Sequence, residues 1–348
     1  MIGSISTLAM RQATLASIAQ AQSRLAQSAE EVSTGRHYDV GLALGASVRR
    51  TIDLRQVSNQ ISTVTNVNAM ARARLESMQG ALSEIGSVAG DLIDQVVAFR
   101  NSGTDRSQLL TDVKDRIDRL TTLLATTFNG QSVFGGENTN VAPVKGYITD
   151  PPSTAQTAVQ ASFAAFFGFS ADDPQVGSIT PAQMNAFLDG DFAQNFADPA
   201  WQMNFSSASD VPLTDQIGLS ETIATPVTAN DSLVRKLLSA LVAVVDGGSE
   251  RLNIGTFQTL MDRVATLAGE ARGEITKTQA VIGLNLDRIA KANDRLSTQA
   301  SLVTKQISVL EEVDSTEASV QLNLLHTKLE VSFAATARLQ GLSLLNYL

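Results

Sequence analysis

Apolar residues recur at alternating steps of four and three along Val57, Ile61, Val64, Asn68, Ala71, Leu75, Met78, Leu82, Ile85, Ala89, Leu92, Val96 and Phe99. That spacing predicts one helix from about Val48 to Arg100 carrying a left-handed coiled-coil seam. At 1.5 Å per residue it spans roughly 80 Å. A second run in the same register predicts a partner helix late in the chain: Ile282, Leu286, Ile289, Asn293, Leu296, Ala300, Val303, Ile307 and Leu310. Each seam holds one asparagine, Asn68 and Asn293. A polar seam residue costs stability and fixes register, so the two could oppose each other, face a neighbouring subunit, or tolerate solvent at a loose seam.

The two ends of the chain are patterned more thinly. Leu8, Leu15, Ile18, Leu25 and Val32 share one heptad frame in a first helix that stops near Gly35, with a turn-rich hinge at Thr34–Gly45. After the charged break Glu311-Glu312-Val313-Asp314, a last helix carries Leu322, Leu325, Leu329, Phe333, Leu339 and Leu342 along a broad face. Neither helix is expected to be stable alone. Between the arms, Asn101-Ser102-Gly103-Thr104 breaks the long helix, and a shorter one follows with Leu110, Val113, Ile117, Leu120 and Leu124 on one face. Asn129-Gly130 and Gly135-Gly136 bracket a short strand-like run, and a helix at Ser232–Val245 closes at Gly247-Gly248.

All eight prolines lie between Pro143 and Pro226. Proline costs about 3 kcal/mol inside a helix, so two proline-free arms flank an inserted, proline-rich centre. The centre holds the lone Trp201 and most of the phenylalanines; it is read as helices near 153–167 and 181–196 and strands near 200–207 and 217–227. The fold class is therefore mainly α: N- and C-terminal helices paired in a long coiled-coil-like bundle, with a smaller mixed α/β middle domain inserted. The boundaries are 1–45 with 311–348 for the terminal helices, 46–142 with 227–310 for a helical rod domain, and 143–226 for the insert.

Composition narrows the function. The 348 residues carry a formal charge of −9, only 5% aromatics and no cysteine. Acidic and basic residues interleave without a basic block, which argues against nucleic acid. No apolar run reaches the ~20 residues of a membrane span, so no membrane insertion is expected, and Met1–Ala21 lacks the apolar core of a cleaved signal. His37 and His326 sit in different elements without ligand-spaced partners, so no metal or cofactor site is expected. Asp172-Asp173 and Asp189-Gly190-Asp191 lack calcium-loop spacing and read as turns. Nothing points to an enzyme. What remains is surface: thinly apolar helical faces at opposite ends of a chain, the kind that assembling subunits complete by self-association, with a monomeric helical bundle as the alternative.

Several stretches carry a resemblance. Val32-Ser33-Thr34-Gly35-Arg36 is similar to an "LSSGKR"-type turn. Phe128-Asn129-Gly130-Gln131-Ser132-Val133-Phe134-Gly135-Gly136-Glu137-Asn138-Thr139, followed by Pro143, is similar to an "NGxYxFGGxxT…P" segment. Glu312-Val313-Asp314 with Glu317-Ala318 resembles a "xDxDxAEA" break, and Leu329-Glu330-Val331-Ser332-Phe333 through Ser343-Leu344-Leu345-Asn346-Tyr347-Leu348 resembles an "LExSxxAxxxxxxLSLLDYL" ending. Together these resemble the flagellin superfamily of bacterial axial proteins, and within it the subunits at the hook–filament junction. One departure is His37-Tyr38-Asp39-Val40-Gly41, where the family often has Asp-Asp-Pro. The resemblance implies a structural, extracellular flagellar subunit that leaves by the flagellar type III apparatus without a cleaved signal. It further implies self-association through the terminal helices, hook-associated protein 1 and flagellin as neighbours, and a flagellar export chaperone on the C-terminal helix. A filament flagellin and a type III secreted coiled-coil effector or translocator are the alternatives.

Overall fold

The computed structural model describes residues 2–101 and 106–345, with side chains described throughout those ranges except at 2–8, 10, 11 and 339–345. Leu8, Leu339 and Leu342 therefore lie outside the described side chains. The chain forms two compact units, one from residues 1–62 with 296–348 and the other from 63–295.

In the first unit, α1 (Ile2–Thr34) pairs along its length with α11 (Ser315–Leu345). Gly35 ends α1 with φ +70, a left-handed conformation that suits glycine. The stretch beyond is more ordered than a bare hinge. The His37 N–H donates to the Glu311 carbonyl at 3.0 Å and the Val313 N–H to that of Gly35 at 3.0 Å, so Arg36 lies opposite Glu312 in an antiparallel bridge. The short helix α2 (Val40–Leu44) follows, its first turn capped by Asp39 Oδ1, which accepts from the Leu42 N–H at 2.9 Å. Asp314 caps α11 in the same way, accepting from the Thr316 and Glu317 N–H groups. Those backbone bonds, Glu317's foremost, hold its carboxyl below the usual range.

The long helices are α3 (Val48–Arg100) and α10 (Ile254–Glu311), the former with the bounds that its heptads predict. Within the second unit every α3 seam position from Val64 through Asn68, Leu75 and Leu82 to Val96 is buried. So are Ile282 and Ile289 on α10, while Leu286 and Asn293 are half-buried. Helix α4 (Arg106–Leu124) packs on α9 (Ser232–Asp246). Its buried stripe is Leu109, Val113, Ile117, Leu120 and Leu124; Leu110, assigned to that face from sequence, is only half-buried, because steps of four from Val113 place Leu109 on the stripe.

Strands β1 (Thr127–Phe128) and β2 (Gln131–Ser132) form a hairpin with Asn129 at φ +49 and Gly130 at φ +76, the two positive angles of a type I′ turn. The Phe-Gly-Gly stretch after it has a steric cause. A Cβ at Gly136 (φ +59) would lie 2.6 Å from the Ser209 carbonyl oxygen and 2.7 Å from that of Val211.

The centre contains α5 (Thr154–Phe167), α6 (Pro181–Asp189), α7 (Asp191–Gln194) and α8 (Ala200–Asn204), then β3 (Thr214–Gln216) paired antiparallel with β4 (Thr222–Ala224). Two expectations are corrected. The 181–196 helix divides at Gly190. The 200–207 strand is a helical turn: Trp201 and Phe205, four apart, are buried and stacked at 5.1 Å, while the intervening Met203 is 65% exposed. The aromatic core running through Phe163, Phe187, Phe196, Trp201 and Phe205 is continuous with the apolar interior of α3, α4, α9 and α10.

Candidate assembly surfaces

Along the α1–α11 pair the interior is thin. Ile18, Ser28 and Ala318 are buried, Leu25, Val32, Leu322, Leu325 and Leu329 are half-buried, and Leu15 and Phe333 are exposed. The sequence frame missed a second stripe on α11. Val320, Leu324 and Val331 are each more than 60% exposed, and their steps of four and seven put them on one face. An apolar helix that buries one stripe and leaves a parallel one in water presents a surface for another helix. Nearer the start of α3, Val57 is 38% exposed and Ile61 buried; on α10, Leu296 is buried while Val303, Ile307 and Leu310 are half-buried.

The two seam asparagines meet. Fully buried Asn68 donates from Nδ2 to Asn293 Oδ1 at 2.7 Å and to the Ile217 carbonyl at 3.0 Å. Ile217 follows β3 directly, and its own side chain is fully buried. The β3–β4 hairpin is tied down on both sides of this point. Asp215 pairs with Arg74 of α3 at 2.9 Å, and Glu221 pairs with Arg288 and Arg295 of α10 at 3.1 and 2.6 Å. The Ala224 carbonyl accepts from Asn285 Nδ2 at 3.3 Å. A one-heptad slip of α3 against α10 would separate the asparagines by about 10 Å and pull both ion-pair sets apart.

A second buried polar site ties the insert to α9. Asp246, at the end of α9, accepts from the Tyr147 hydroxyl at 2.7 Å and from Gln160 Nε2 at 2.8 Å. Burial pushes its carboxyl above the usual range, against the pull of its hydrogen bonds and of Lys114. Burial, then the adjacent carboxylate, pushes the Tyr147 hydroxyl far up, so it stays protonated and donates.

Among the described residues, no group of three or more His, Asp and Glu side chains could hold a metal ion, and no helix is long and apolar enough to cross a membrane. His37 lies 3.9 Å from Glu31 and His326 lies 3.6 Å from Glu330 within one helix, while Asp189 pairs with Arg263 at 2.7 Å.

Residues 5–139 match the model of the bacterial flagellin N-terminal helical region, and residues 265–348 match that of the C-terminal helical region. The two halves of one family together span more than half of the chain. It belongs to the flagellin family. The flagellar hook-associated protein 3 of Escherichia coli (strain K12) is 24% identical over 347 residues, covering 97% of this chain and 98% of that protein. The solved structure of a flagellar hook-associated protein from Vibrio parahaemolyticus superposes with a TM-score of 0.52 at 11% identity, over 76% of this chain and 97% of that one, which establishes a shared fold. FlgL of Bacillus cereus gives a TM-score of 0.38 at 10% identity over 74% and 96%, too low to bear on the fold. Flagellin-family and hook-associated relatives are structural subunits, not enzymes, that work outside the cell in assembly with other flagellar components. The stretch between the two matched regions contains the whole proline-rich insert.

Proposed function

We propose that this protein is the subunit that joins hook to filament, contacting hook-associated protein 1 on one side and flagellin on the other. Similarity across nearly the whole chain to a hook-associated protein 3 supports this reading, and the unpartnered Val320–Val331 stripe beside the α1–α11 pair carries its mechanism. In the assembled junction, neighbouring copies cover that stripe. The terminal regions 1–45 and 311–348 form the inner core, 46–142 with 227–310 form the helical domain around it, and the 143–226 insert points outward. Before assembly the same stripe needs a cover, which a flagellar export chaperone on α11 provides. The chain then leaves through the type III apparatus, where the absence of thiols avoids cross-linking in transit.

A clean deletion strain tests this. It should make hooks of normal length, shed flagellin into the medium and lack filaments, with motility restored by the gene in trans. Filaments that persist on the deletion strain, or hooks that fail to form, would overturn the junction reading. Purified protein growing into long filaments by itself would favour a filament flagellin instead.

A further inference from the structure

Two segments that the sequence separates by more than 270 residues, the turn after α1 and the break before α11, are bridged through their backbones, and Glu311 lies at the bridge. Its carboxylate is 1% exposed, 2.7 Å from Arg55 of α3 and 3.7 Å from Arg36 beyond α1. Its main-chain oxygen accepts the His37 N–H at 3.0 Å. One acidic residue at the end of α10 thus touches α3 and both linkers to the terminal pair.

The buried positions on the elements that meet here include the small or polar Ser28 on α1, Thr51 on α3 and Ala318 on α11. Ser28 Oγ and Thr51 Oγ1 are buried without a hydrogen-bond partner. Thr51 and Arg55 stand one turn apart on the same face of α3. Small and polar side chains bury little apolar surface, so packing at these three positions has small holding power. The ionic contact has more, because the carboxylate is shut from water and is costly to leave unpaired. The arginines are 58% and 56% exposed, so they are free to let go into solvent while Glu311 is not.

We propose that Glu311 is a positioning residue, an ionic clasp with Arg55 and Arg36 that holds the bridged 35–37 and 311–313 segments closed and so fixes how the α1–α11 pair leaves α3 and α10. Opening the clasp frees the terminal pair to swing about those two segments without unfolding either helix. The clasp belongs to the single chain and does not depend on which neighbours the subunit meets.

Hydrogen exchange on the full-length purified protein tests it, followed at the His37 and Val313 amides that donate the bridge bonds. Glu311→Gln and Arg55→Met should each speed exchange at these amides about tenfold or more, with the second unit's amides unchanged. Arg55→Lys, which keeps the charge, should stay near wild type. The double variant Glu311→Gln/Arg55→Met should be no faster than the quicker single, since both break one interaction. Wild-type exchange in Glu311→Gln, effects that multiply in the double variant, or an Arg55→Lys as fast as Arg55→Met would each overturn the clasp. Should Glu311→Gln fail to fold, the Arg36→Met and Arg55→Met variants, altered only at exposed side chains, decide by the same readout.

Discussion

Replacing Tyr147 by Phe removes a single oxygen from a fully packed site, and the consequence can be worked in both size and pH dependence. The hydroxyl donates at 2.7 Å to a buried carboxylate whose other oxygen accepts from Gln160 at 2.8 Å. A hydrogen bond to a charged group contributes about 1.5–3 kcal/mol, and stranding the carboxylate oxygen places the loss near the upper end. For a unit of roughly 150–250 residues that lowers Tm by about 6–12 °C. Burial raises the Asp246 pKa in the folded state, so its contribution to stability is full below the unfolded value of about 3.9 and is lost as pH rises through the folded pKa. Tyr147 is among the groups that restrain this rise, so in the Phe variant the losing window extends to higher pH. Calorimetric melts at pH 8 and pH 5 should show a large gap between wild type and variant at pH 8 and a smaller one at pH 5, where more of Asp246 is protonated. Asp246→Asn should remove this pH-dependent component. A gap of equal size at both pH values, or Tm values within about 1 °C at pH 8, would refute the assigned hydrogen bond to a charged Asp246.

Asn68→Leu should destabilise by about 1–3 kcal/mol because the Ile217 carbonyl and Asn293 lose their donor. Asn68→Leu with Asn293→Leu should cost less than the sum of the singles, a coupling of about 0.5–3 kcal/mol read from denaturant melts; strict additivity would show that the pair does not interact. Val331→Asp on the exposed α11 stripe should shift monomer stability by under about 0.5 kcal/mol yet abolish complementation of the deletion strain, and a motile complemented strain would show that the stripe is not used. Gly136→Ala should destabilise by more than 1 kcal/mol, since it combines positive φ with a Cβ against two carbonyl oxygens; Gly80→Ala, with open space around it, is the control and should be neutral or stabilising.

The long helices were legible because a four–three repeat sustained over six heptads has few competing explanations, and α3 ends one residue beyond the last position of its pattern. Turn chemistry was equally readable at Asn129-Gly130, where both residues take positive φ. Trp201-Gln202-Met203-Asn204-Phe205 shows where such reading fails. Alternating apolar residues mimic a strand, and only the tertiary partners of Trp201, the Phe196 ring and Asn230, which accepts from the indole at 2.9 Å, select the helical turn. Asn68 and Asn293 were visible as candidates, but their mutual hydrogen bond depends on a hairpin from the insert that periodicity does not describe. The exposed stripe on α11 was hidden for a different reason: a helix apolar on two faces gives no single direction to its pattern. Glu311 carried no sequence signal at all, being one of several acids in a charged break.

Immunogold electron microscopy on intact flagella, with antibody raised against the 143–226 insert, asks where the subunit sits. Gold confined to a single narrow band at the boundary of hook and filament is the expected image. Gold spread along the whole filament, or none on the flagellum, would contradict a junction subunit.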